Sequence, residues 1–401
     1  MALKILILNK LYWPEQRGGA EVSVRNLVRS FVTAGHEVTV VCLSERPRRE
    51  SLDGAEIVRL PIRNLHWPYQ SRKPGRLRRL LWHVVDIYNP WSKRDIDRVL
   101  SQFRPDIFFT NNISGFSVSV WSSAYEHHIP IVHTSRDYYL IHPNSTLYSK
   151  GREQNPRRLV TRLFAWLKKA ASRKVSAYVG ISQHIAATHT SLGYFPRASH
   201  QVIYNSVEVQ VNVSDACDLV TSTAYAIGFL GRIDPTKGIE VLLQSMALLG
   251  DRFRLVIAGE GESSYVTGLK SIAPSNVEWI GRVNPDALFA RVNALVVPSL
   301  WAEPLGRVVL EAYSFGRPVV GARSGGIPEI INEGITGFIY EPRNARDLAE
   351  AITKVSSLDP VDTRNNCLEL AKNFTNEKVS RAYIGLFSEL TTSQNNRTND
   401  S

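Results

Sequence analysis

The chain alternates short apolar runs with longer stretches in which apolar residues recur at helical spacing. "KILILN" (4–9) and "HEVTVVCL" (36–43) are apolar runs of the length expected for strands buried on both faces. Between them, turn glycines precede a stretch whose apolar positions from Val24 to Phe31 share one face of a helix. This strand–helix–strand unit predicts two parallel strands joined by a right-handed crossover.

The same alternation continues to about residue 342. Further strands are predicted at 106–112, 129–135, 177–182 and 200–206, and a second series at 226–231, 254–261, 277–281, 294–299, 317–322 and 337–342. We therefore predict an α/β protein with two doubly wound domains, 1–205 and 206–375, hinged near Asn205 to Asp218. A helix at about 376–390 is expected to pack back on the first domain, and the polar tail 391–401 is expected to be disordered.

Composition agrees with a globular protein that is not secreted. The chain has 401 residues, and 43% of them are hydrophobic, which is enough for two cores. Its cysteines, Cys42, Cys217 and Cys367, lie too far apart to indicate a disulfide framework or a metal site. The start has no signal-peptide pattern, and no apolar run approaches the length of a membrane span. We expect a cytoplasmic location, either free or peripheral on the inner face of the membrane.

Positive charge is concentrated in the N-terminal half. The net charge is +11, and the segments Arg72 to Arg79 and Lys150 to Lys174 are rich in lysine and arginine. From Arg157 onward, apolar residues recur at near-helical spacing between these cations. Two interpretations remain open: a basic amphipathic helix that lies on anionic lipid, or a domain helix that buries its apolar stripe in the core.

The segment "EPLGRVVLE", from Glu303 to Glu311, follows the predicted strand 294–299. Ligands bind beyond the carboxyl ends of strands in open parallel sheets, so this loop is a candidate binding site. Glu303 is predicted in the loop and Glu311 about two turns further on, where the two carboxylates can hold hydroxyl groups of one long ligand. The alternative is an acid favoured by the helix dipole and an unrelated surface acid.

Two other loops at the same predicted edge carry groups suited to anions. "GRIDPTKG" places Arg232 after one strand and Lys237 before a helix, where both cations can face phosphate. "RSGGIPEII" (323–331) is a glycine turn predicted to open another helix, whose free N–H groups can cradle a phosphate. Solvated charges and an ordinary turn are the alternatives for these two loops when each is taken alone.

In combination these pieces resemble the donor-binding domain of the retaining glycosyltransferases of family four, the "glycosyl transferases group 1" class with the GT-B fold. The resemblance is carried by "FLGRIDPTKGIEVLL", "LVIAGEGE", "VEWIGRV", "ALVVPSLWAEPLGRVVLEAYSFGRPVVGARSGGIPEII" and "GITGFI". "GGAE" (18–21), "LVRSFVTAGHEVTVVCL" (27–43) and "VIYNSVE" (202–208) similarly resemble the acceptor-binding domain. It implies two Rossmann-like domains that face an interdomain cleft.

The resemblance implies roles for individual positions. On the donor side, Glu311 would bind the ribose, Glu303 would face the donor sugar, and Arg232 and Lys237 would neutralise the diphosphate. The remaining expected donor contacts are Gly281, Arg282 and Val283 near the base, Gly325, Gly326 and Ile327 near the sugar and phosphate, and Leu305 and Gly306. On the acceptor side, the expected residues are Gly18, Gly19 and Glu21.

Family resemblance also implies the reaction: transfer of a sugar from a UDP- or GDP-sugar to a glycan or lipid-linked acceptor in surface polysaccharide or glycolipid synthesis. It implies a hexosyltransferase type of enzyme and retention of anomeric configuration. We expect no cofactor and no metal, because the one Asp-X-Asp string, Asp95–Asp97, lies in a helical pattern that we assign to a solvated face. The Arg232 and Lys237 cations would stabilise the leaving diphosphate instead.

The acceptor side departs from the family pattern. Members commonly carry a His-Asp pair where this chain has Arg136 and Asp137, with His133 three residues earlier. Either His133, as a tentative catalytic residue, or Arg136 with Asp137 is expected to serve the acceptor.

Two other classes of function remain as alternatives. One is a GT-B enzyme of another reaction type, an epimerase or a phosphorylase, although the pyridoxal-phosphate lysine motif of a phosphorylase is not found. The other is a non-catalytic nucleotide or polyanion binder. We expect no nucleic-acid partner, because the sequence shows no RRM, KH, zinc or helix-turn-helix pattern.

Overall fold

The structure is a computed structural model that describes residues 2–16, 18–69, 74–149, 151–208 and 224–399. These residues divide into two compact units. Unit 1 spans Met1–Leu147, Gln154–Tyr204 and Asn376–Ser401, and unit 2 spans Tyr148–Glu153 and Asn205–Thr375. Much of the hinge expected near Asn205 to Asp218, and Arg72, Lys73 and Lys150 of the basic segments, lie outside the described residues.

The strands are β1 (Lys4–Leu8), β2 (Glu37–Leu43), β3 (Arg48–Leu52), β4 (Ala55–Leu60), β5 (Ile107–Thr110), β6 (Ile131–Ser135), β7 (Tyr148–Ser149), β8 (Arg152–Glu153), β9 (Ala177–Gly180), β10 (Ser199–Val202), β11 (Tyr225–Leu230), β12 (Phe253–Ala258), β13 (Val277–Gly281), β14 (Ala294–Val297), β15 (Val319–Ala322) and β16 (Gly337–Tyr340). The α-helices are α1 (Gly19–Thr33), α2 (Arg76–Val85), α3 (Pro90–Phe103), α4 (Ser119–Glu126), α5 (Leu159–Ala171), α6 (Gln183–Ser191), α7 (Ile239–Leu249), α8 (Ser263–Ile272), α9 (Pro285–Phe289), α10 (Arg307–Ser314), α11 (Ala345–Ser356), α12 (Pro360–Ala371) and α13 (Asn376–Asn399). Within the described ranges, no helix is both long and apolar enough to cross a bilayer.

Unit 1 is built on an eight-stranded sheet in the order β10-β9-β6-β5-β1-β2-β4-β3. Its pairs are parallel except β3 with β4, which form an antiparallel hairpin at one edge. The apolar pattern did not predict this hairpin, because β3 reads "RRESL" and has no buried residue. In β4, Arg59 is buried and donates from Nε to Glu50 at 2.6 Å and from Nη2 to the Trp13 carbonyl at 2.6 Å.

Unit 2 is built on a six-stranded parallel sheet in the order β13-β12-β11-β14-β15-β16. The strand order reverses between β11 and β14, which pair directly through Ile227 with Ala294. The loops that follow these two strands therefore leave the sheet in opposite directions and open a crevice at its carboxyl edge. The loop after β11 contains Arg232 and Lys237, and the loop after β14 contains Glu303.

The C-terminal helix α13 packs in unit 1. Phe387 is fully buried there, with its ring centroid 5.6 Å from that of Phe31 and 5.4 Å from that of Phe109. The tail was expected to be disordered from residue 391, but α13 continues to Asn399. Serine and threonine hydroxyls return hydrogen bonds to carbonyls one turn back, as Thr391 does to Phe387, so these polar residues are accommodated in a helix that is already nucleated by packing.

The helix α5 lies at the surface of unit 1 in an unexpected orientation. Leu163 and Trp166 are about two-thirds exposed, whereas Lys168 is completely buried. The interpretation of this stretch as a helix that buries its apolar stripe in the core is therefore wrong. The spacing of apolar residues correctly predicts a helix here, but it does not determine which face of the helix packs against the rest of unit 1.

The Asp-X-Asp string lies on α3, as predicted, but Asp95 is not solvated. Its carboxylate is buried and pairs with Arg63 at 2.6 Å and with Arg98 at 3.2 Å. Asp97 pairs with Lys93 at 3.1 Å. The Arg63–Asp95 ion pair therefore ties α3 to the segment after β4, whereas the Lys93–Asp97 ion pair lies within the helix.

The turn after β15 requires glycine at position 325. Gly325 has φ of +60°, and a Cβ at this position would lie 2.0 Å from the Glu303 carbonyl oxygen and 2.5 Å from the Glu303 amide nitrogen. The next residue, Gly326, donates its N–H to the same carbonyl at 2.8 Å. The turn thus supports the backbone that carries Glu303.

We expect Gly325→Ala to lower the free energy of unfolding by more than the cost of a left-handed alanine, which is about 1–2 kcal/mol, because the new Cβ also displaces the backbone of Glu303. Gly334→Ala is the matched control, since Gly334 has φ of +76° but open space around its Cβ position. Chemical denaturation of both variants gives the comparison. Equal losses of stability would show that the contact with residue 303 has no energetic effect.

Candidate active site

The donor-side candidates of unit 2 meet at the reversal of strand order. Lys237 ends a 3-10 turn, Pro235–Lys237, that Asp234 caps by accepting a hydrogen bond from the Thr236 amide at 2.9 Å. The Lys237 ammonium donates to Glu303 Oε1 at 2.5 Å. The order of strands in the sheet thus joins two residues that are 66 positions apart in sequence.

Glu303 is a buried carboxylate with one oxygen fully engaged. Besides Lys237, Ser299 donates its hydroxyl and Trp301 its indole N–H to Oε1, each at 2.8 Å. Oε2 accepts no hydrogen bond from any described residue. Three donors on one oxygen fix the orientation of the carboxylate and leave the other oxygen able to accept from a ligand. The sequence reasoning missed Ser299, which it placed at the end of the predicted strand 294–299, and Trp301, which lies between that strand and Glu303.

Arg232 differs from Lys237 in its surroundings. Its side chain is 72% exposed, and its guanidinium approaches Asp234 at 3.5 Å. The backbone around it is tightly held: Ile233 donates its amide to the Glu260 carbonyl at 2.8 Å, and Gly259 donates to the Gly281 carbonyl at 2.7 Å. Arg232, the "GEG" turn and the Gly281–Val283 turn therefore lie on neighbouring loops at one edge of the sheet. Arg282 is exposed there, and Val283 is half-buried.

Glu311 lies on the second turn of α10, as predicted from the sequence. Its carboxylate is largely buried and pairs with Arg307 at 3.2 Å. Burial raises the pKa of Glu311, and the Arg307 guanidinium opposes that rise. The Arg307 Nε atom is itself buried and has no hydrogen-bond acceptor among the residues that the structure describes. Since Glu311 and Arg307 are partly desolvated before any ligand is bound, a polar ligand here would have little water to displace.

Four other donor-side candidates, Leu305, Gly306, Gly326 and Ile327, make contacts within the protein instead of presenting free groups to a ligand. Leu305 and Ile327 are buried, so their side chains belong to the core. Gly306 caps α10 with φ of +84°, where a Cβ would lie 2.9 Å from Ile327. The amides of Gly326 and Ile327 donate to the carbonyls of Glu303 and Ser324 and are not free to cradle a phosphate. The predicted helix after this turn is a short 3-10 segment, Ile327–Ile330.

On the acceptor side, His133 does not fit the expected role. The imidazole is buried in the core of unit 1, with its ring centroid 5.0 Å from that of Trp121 and 5.6 Å from that of Phe195. It shares a hydrogen bond of 2.9 Å with the Thr110 hydroxyl, and burial lowers its pKa well below the usual value. A neutral, enclosed imidazole of this kind fills the core and does not contact a ligand.

Arg136 and Asp137 are partly exposed at the end of β6. Arg136 donates from Nε to the Asn111 side chain at 2.9 Å. Asp137 accepts from the Tyr139 amide at 2.8 Å and from the Asn112 side chain at 3.3 Å, and removal from water raises its pKa to about 6. These residues follow β5 and β6, so they lie at the carboxyl edge of the sheet in unit 1.

A buried charged group adjoins Asp137 that the sequence did not indicate. Lys168 of α5 donates to the Tyr139 carbonyl at 3.1 Å, and burial lowers its pKa to about 7, opposed by the carboxylates of Asp86 and Asp137. Burial likewise raises the pKa of Asp86 to about 6, and Lys168 opposes that shift. Near the acceptor-side candidates, Lys168 and Asp86 thus each favour the charged form of the other, against the effect of burial.

Gly18 and Glu21 form the entry to α1. The Glu21 carboxylate is buried and accepts a hydrogen bond from the Gly18 amide at 3.0 Å. Gly18 has extended backbone, and a Cβ there would be 3.9 Å from Glu21, which is ordinary van der Waals contact. Among the described residues, no atom beyond the chain neighbours comes close enough to require glycine at position 18. Gly19 is the first residue of α1.

A cavity of about 550 Å³ lies at the carboxyl edge of unit 1, where the loops after β1, β2 and β4 meet. Its wall includes the rings of Trp67 and Tyr69, whose centroids are 5.7 Å apart, and the Lys10 ammonium lies 4.9 Å from the Tyr69 ring centroid. Its lining residues are Leu11, Pro14, Glu15, Gln16, Ser44, Glu45, Arg46, Arg48, Trp67 and Tyr69. Aromatic faces beside carboxylates and guanidinium groups suit a ligand with both apolar C–H faces and hydroxyl groups, as a sugar has.

Sequence comparison identifies two matching families. Residues 219–374 match the model "Glycosyl transferases group 1", and residues 18–206 match "Glycosyl transferase 4-like domain". Among curated proteins, the chain is 38% identical over 331 residues to the "uncharacterized 42.6 kDa protein in cps region" of Klebsiella pneumoniae, covering 82% of this chain and 87% of that protein.

Structural comparison identifies glycosyltransferases of the same fold. Sucrose-phosphate synthase from Thermosynechococcus elongatus matches with a TM-score of 0.74 and 18% identity, covering 98% of this chain and 100% of that one. Anabaena HepE, solved in complex with UDP and glucose, matches with a TM-score of 0.70 and 19% identity, covering 96% and 99%. At these identities the structural matches establish the fold. Together with the two family matches, they show that the chain belongs to the "Glycosyl transferases group 1" family of glycosyltransferases with the GT-B fold.

Proposed function

We propose that this glycosyltransferase moves a hexosyl group from a UDP- or GDP-sugar to a glycan or lipid-linked acceptor in the synthesis of a surface polysaccharide or glycolipid. The observation that carries the proposal is the Lys237–Glu303 contact at the reversal of strand order in unit 2, with Glu311 on the following helix. The relative in a cps region and the UDP bound by HepE support a nucleotide-sugar donor and a polysaccharide product.

A nucleotide-sugar has a ribose diol, a diphosphate and a sugar in series, and the donor-side residues match these groups in kind. In the proposed complex, Glu311 accepts hydrogen bonds from the ribose hydroxyls, and Arg232 and Lys237 bind the diphosphate. Glu303, oriented by its three donors, uses Oε2 to accept from a hydroxyl of the donor sugar. The exposed turn at Gly281, Arg282 and Val283 borders the base.

During transfer, the bond from the anomeric carbon to the diphosphate oxygen breaks, and negative charge grows on the leaving diphosphate. The positive charges of Lys237 and Arg232 stabilise that charge more strongly in the transition state than in the ground state, which lowers the barrier. The acceptor hydroxyl attacks the anomeric carbon from the same face, a new C–O bond forms, the hydroxyl proton passes to the leaving diphosphate oxygen, and the anomeric configuration is retained. Proton NMR of the product, read at the anomeric position, tests this stereochemistry, and an inverted product would contradict it.

We also propose an acceptor site at the carboxyl edge of unit 1. Arg136 and Asp137 replace His133 as the expected polar contacts, because they are partly exposed and His133 is not. Trp67 and Tyr69 supply stacking surfaces for a sugar ring in the neighbouring cavity. The enzyme is proposed to work in the cytoplasm or peripherally on the inner face of the membrane.

Glu311→Ala is expected to weaken binding of the free nucleoside diphosphate by about 10- to 100-fold, the scale of a lost hydrogen bond to a charged group. The sugar is absent from this ligand, so the loss reports on the ribose. Isothermal titration with UDP and GDP measures it, with Glu311→Gln as a volume-matched variant. The control is Glu350→Ala, which removes an exposed acid of α11. Unchanged nucleotide affinity in Glu311→Ala would exclude the ribose role.

Transfer is expected to continue in excess EDTA, because lysine and arginine neutralise the diphosphate in the proposed mechanism. Lys237→Ala should then lower kcat by more than it weakens nucleoside diphosphate binding, since the charge it opposes is largest in the transition state. Turnover of a panel of UDP- and GDP-sugars with and without EDTA measures the first effect, and turnover together with titration of nucleoside diphosphate into wild type and Lys237→Ala measures the second. Activity that is lost in EDTA and restored by Mg²⁺ or Mn²⁺ would contradict metal-free transfer.

Trp67→Ala is expected to weaken binding of simple glycosides by about tenfold or more, the scale of losing an aromatic contact residue. Saturation-transfer NMR with a panel of monosaccharide and disaccharide glycosides measures the change. Trp91→Ala is the matched control, because Trp91 is an exposed tryptophan of α3 outside the cavity. Nucleoside diphosphate affinity should be unaffected in both variants. Equal glycoside binding by Trp67→Ala and wild type would remove the cavity from the acceptor site.

A further inference from the structure

Two neighbouring helices of unit 1, α2 and α5, carry their apolar stripes on the outside. In α2 the exposed apolar residues are Leu77, Leu80, Leu81 and Val84, and in α5 they are Leu159, Leu163, Trp166 and Leu167; each is between 42% and 70% exposed. Their spacing of three, four and seven residues places each set on one helical face. A surface helix of a water-soluble domain normally turns such a stripe inward.

Both helices are held in this orientation by specific contacts on their inner faces. In α2, Trp82 is buried and donates its indole N–H to the His66 carbonyl at 3.1 Å. In α5, Lys168 is buried, lies 4.3 Å from the ring centroid of Phe164, and binds the Tyr139 carbonyl. Burying a lysine while exposing leucines is energetically unfavourable for a helix whose outer face contacts only water. We therefore expect the outer face to bind a partner.

The two exposed faces belong to one surface. The His83 ring of α2 meets the Phe164 ring of α5 edge-on, with 6.4 Å between their centroids. We name this surface, formed by the outward side chains of α2 and α5, the docking face. Two adjacent helices give it a wider apolar area than scattered single hydrophobic residues do.

The docking face is also strongly cationic. Exposed arginine and lysine side chains flank both stripes: Arg76, Arg78 and Arg79 on α2, and Arg157, Arg158, Arg162 and Lys169 on and before α5. Neither helix contains an aspartate or glutamate. None of the ion pairs between described residues involves these seven side chains.

We propose that the docking face is a membrane-insertion surface, in which the leucine, valine and tryptophan side chains of α2 and α5 enter the acyl boundary of an anionic bilayer while the flanking arginines and lysine bind lipid phosphates. Apolar side chains in the plane of the interface with cations around them are the arrangement by which amphipathic helices lie on anionic lipid. A second copy of the chain fits this face poorly, because a two-fold interface would bring seven cations against the same seven.

This inference extends the proposal of a lipid-linked acceptor, and its test needs neither donor nor acceptor. Purified full-length protein is floated with phosphatidylcholine vesicles, with and without phosphatidylglycerol, at low and high salt. The wild type is expected to float with the anionic vesicles at low salt and at least tenfold less with neutral ones. A failure of the proposed transfer reaction would leave this result unchanged.

Two sets of substitutions separate insertion from electrostatic attraction. The apolar variant combines Leu77→Gln, Leu80→Gln, Leu163→Gln and Trp166→Gln, and it is expected to reduce vesicle binding at least tenfold while salt sensitivity remains. The charge variant combines Arg79→Gln, Arg158→Gln, Arg162→Gln and Lys169→Gln, and it is expected to abolish the preference for anionic vesicles. All eight side chains are exposed, and thermal melting checks that both variants fold.

The matched control replaces exposed apolar residues of unit 2, Leu248→Gln, Ile272→Gln and Val361→Gln, and should bind vesicles as the wild type does. Three outcomes would overturn the proposal. The wild type does not float with anionic vesicles at low salt; the apolar variant binds as well as the control; or the wild type forms a dimer without lipid that the apolar substitutions dissociate, which would make a second copy the partner of the docking face.

Discussion

Parallel strands end together, and this constraint organises both units of the protein. Every loop after a strand of the six-stranded sheet in unit 2 emerges at one edge, and the loops after β11 and β14 line a crevice there because the strand order reverses between them. Lys237 and Glu303 meet because each belongs to one of these loops. The buried carboxylate of Glu303 then needs donors, which Lys237, Ser299 and Trp301 supply. The geometry of the candidate site therefore follows from the topology of the sheet.

Much of this arrangement could be predicted from the sequence because the signals are local. Apolar runs mark strands that are buried on both faces, and Glu311 lies on the helix that follows the predicted strand 294–299, as its spacing from Glu303 indicated. The hairpin β3–β4 gave no such signal, since its stability comes partly from ion pairs such as Arg59 with Glu50, which join residues on different strands. A polar strand at the edge of a sheet looks like a loop when only its hydrophobicity is considered.

The predictions that did not fit concern which way a group points. His133 was expected at the end of a strand, but it lies in the middle of β6, and its ring faces the core between Trp121 and Phe195. Gly326 lies in the expected turn, but its amide is already bonded to the Glu303 carbonyl. Alternation in strands and spacing in helices predict which residues share a face. Which of these faces packs against the protein depends on contacts with residues that are distant in sequence. Lys168 shows this most clearly. The carboxylates of Asp86 and Asp137, which counteract the lowering of its pKa by burial, come from two other segments of unit 1.

The combination of leucines and arginines on the outer surface of α2 and α5 means that salt acts on the protein in two opposed ways. Added ions screen the attraction between the cations and an anionic surface, so they favour release into solution. The same ions screen the mutual repulsion of two cationic surfaces, so the exposed leucines of separate molecules can approach. In the proposed membrane complex the arginines and lysine are solubilising groups as well as lipid contacts, so the ionic strength that would free the enzyme from a membrane is also the one that most favours its self-association.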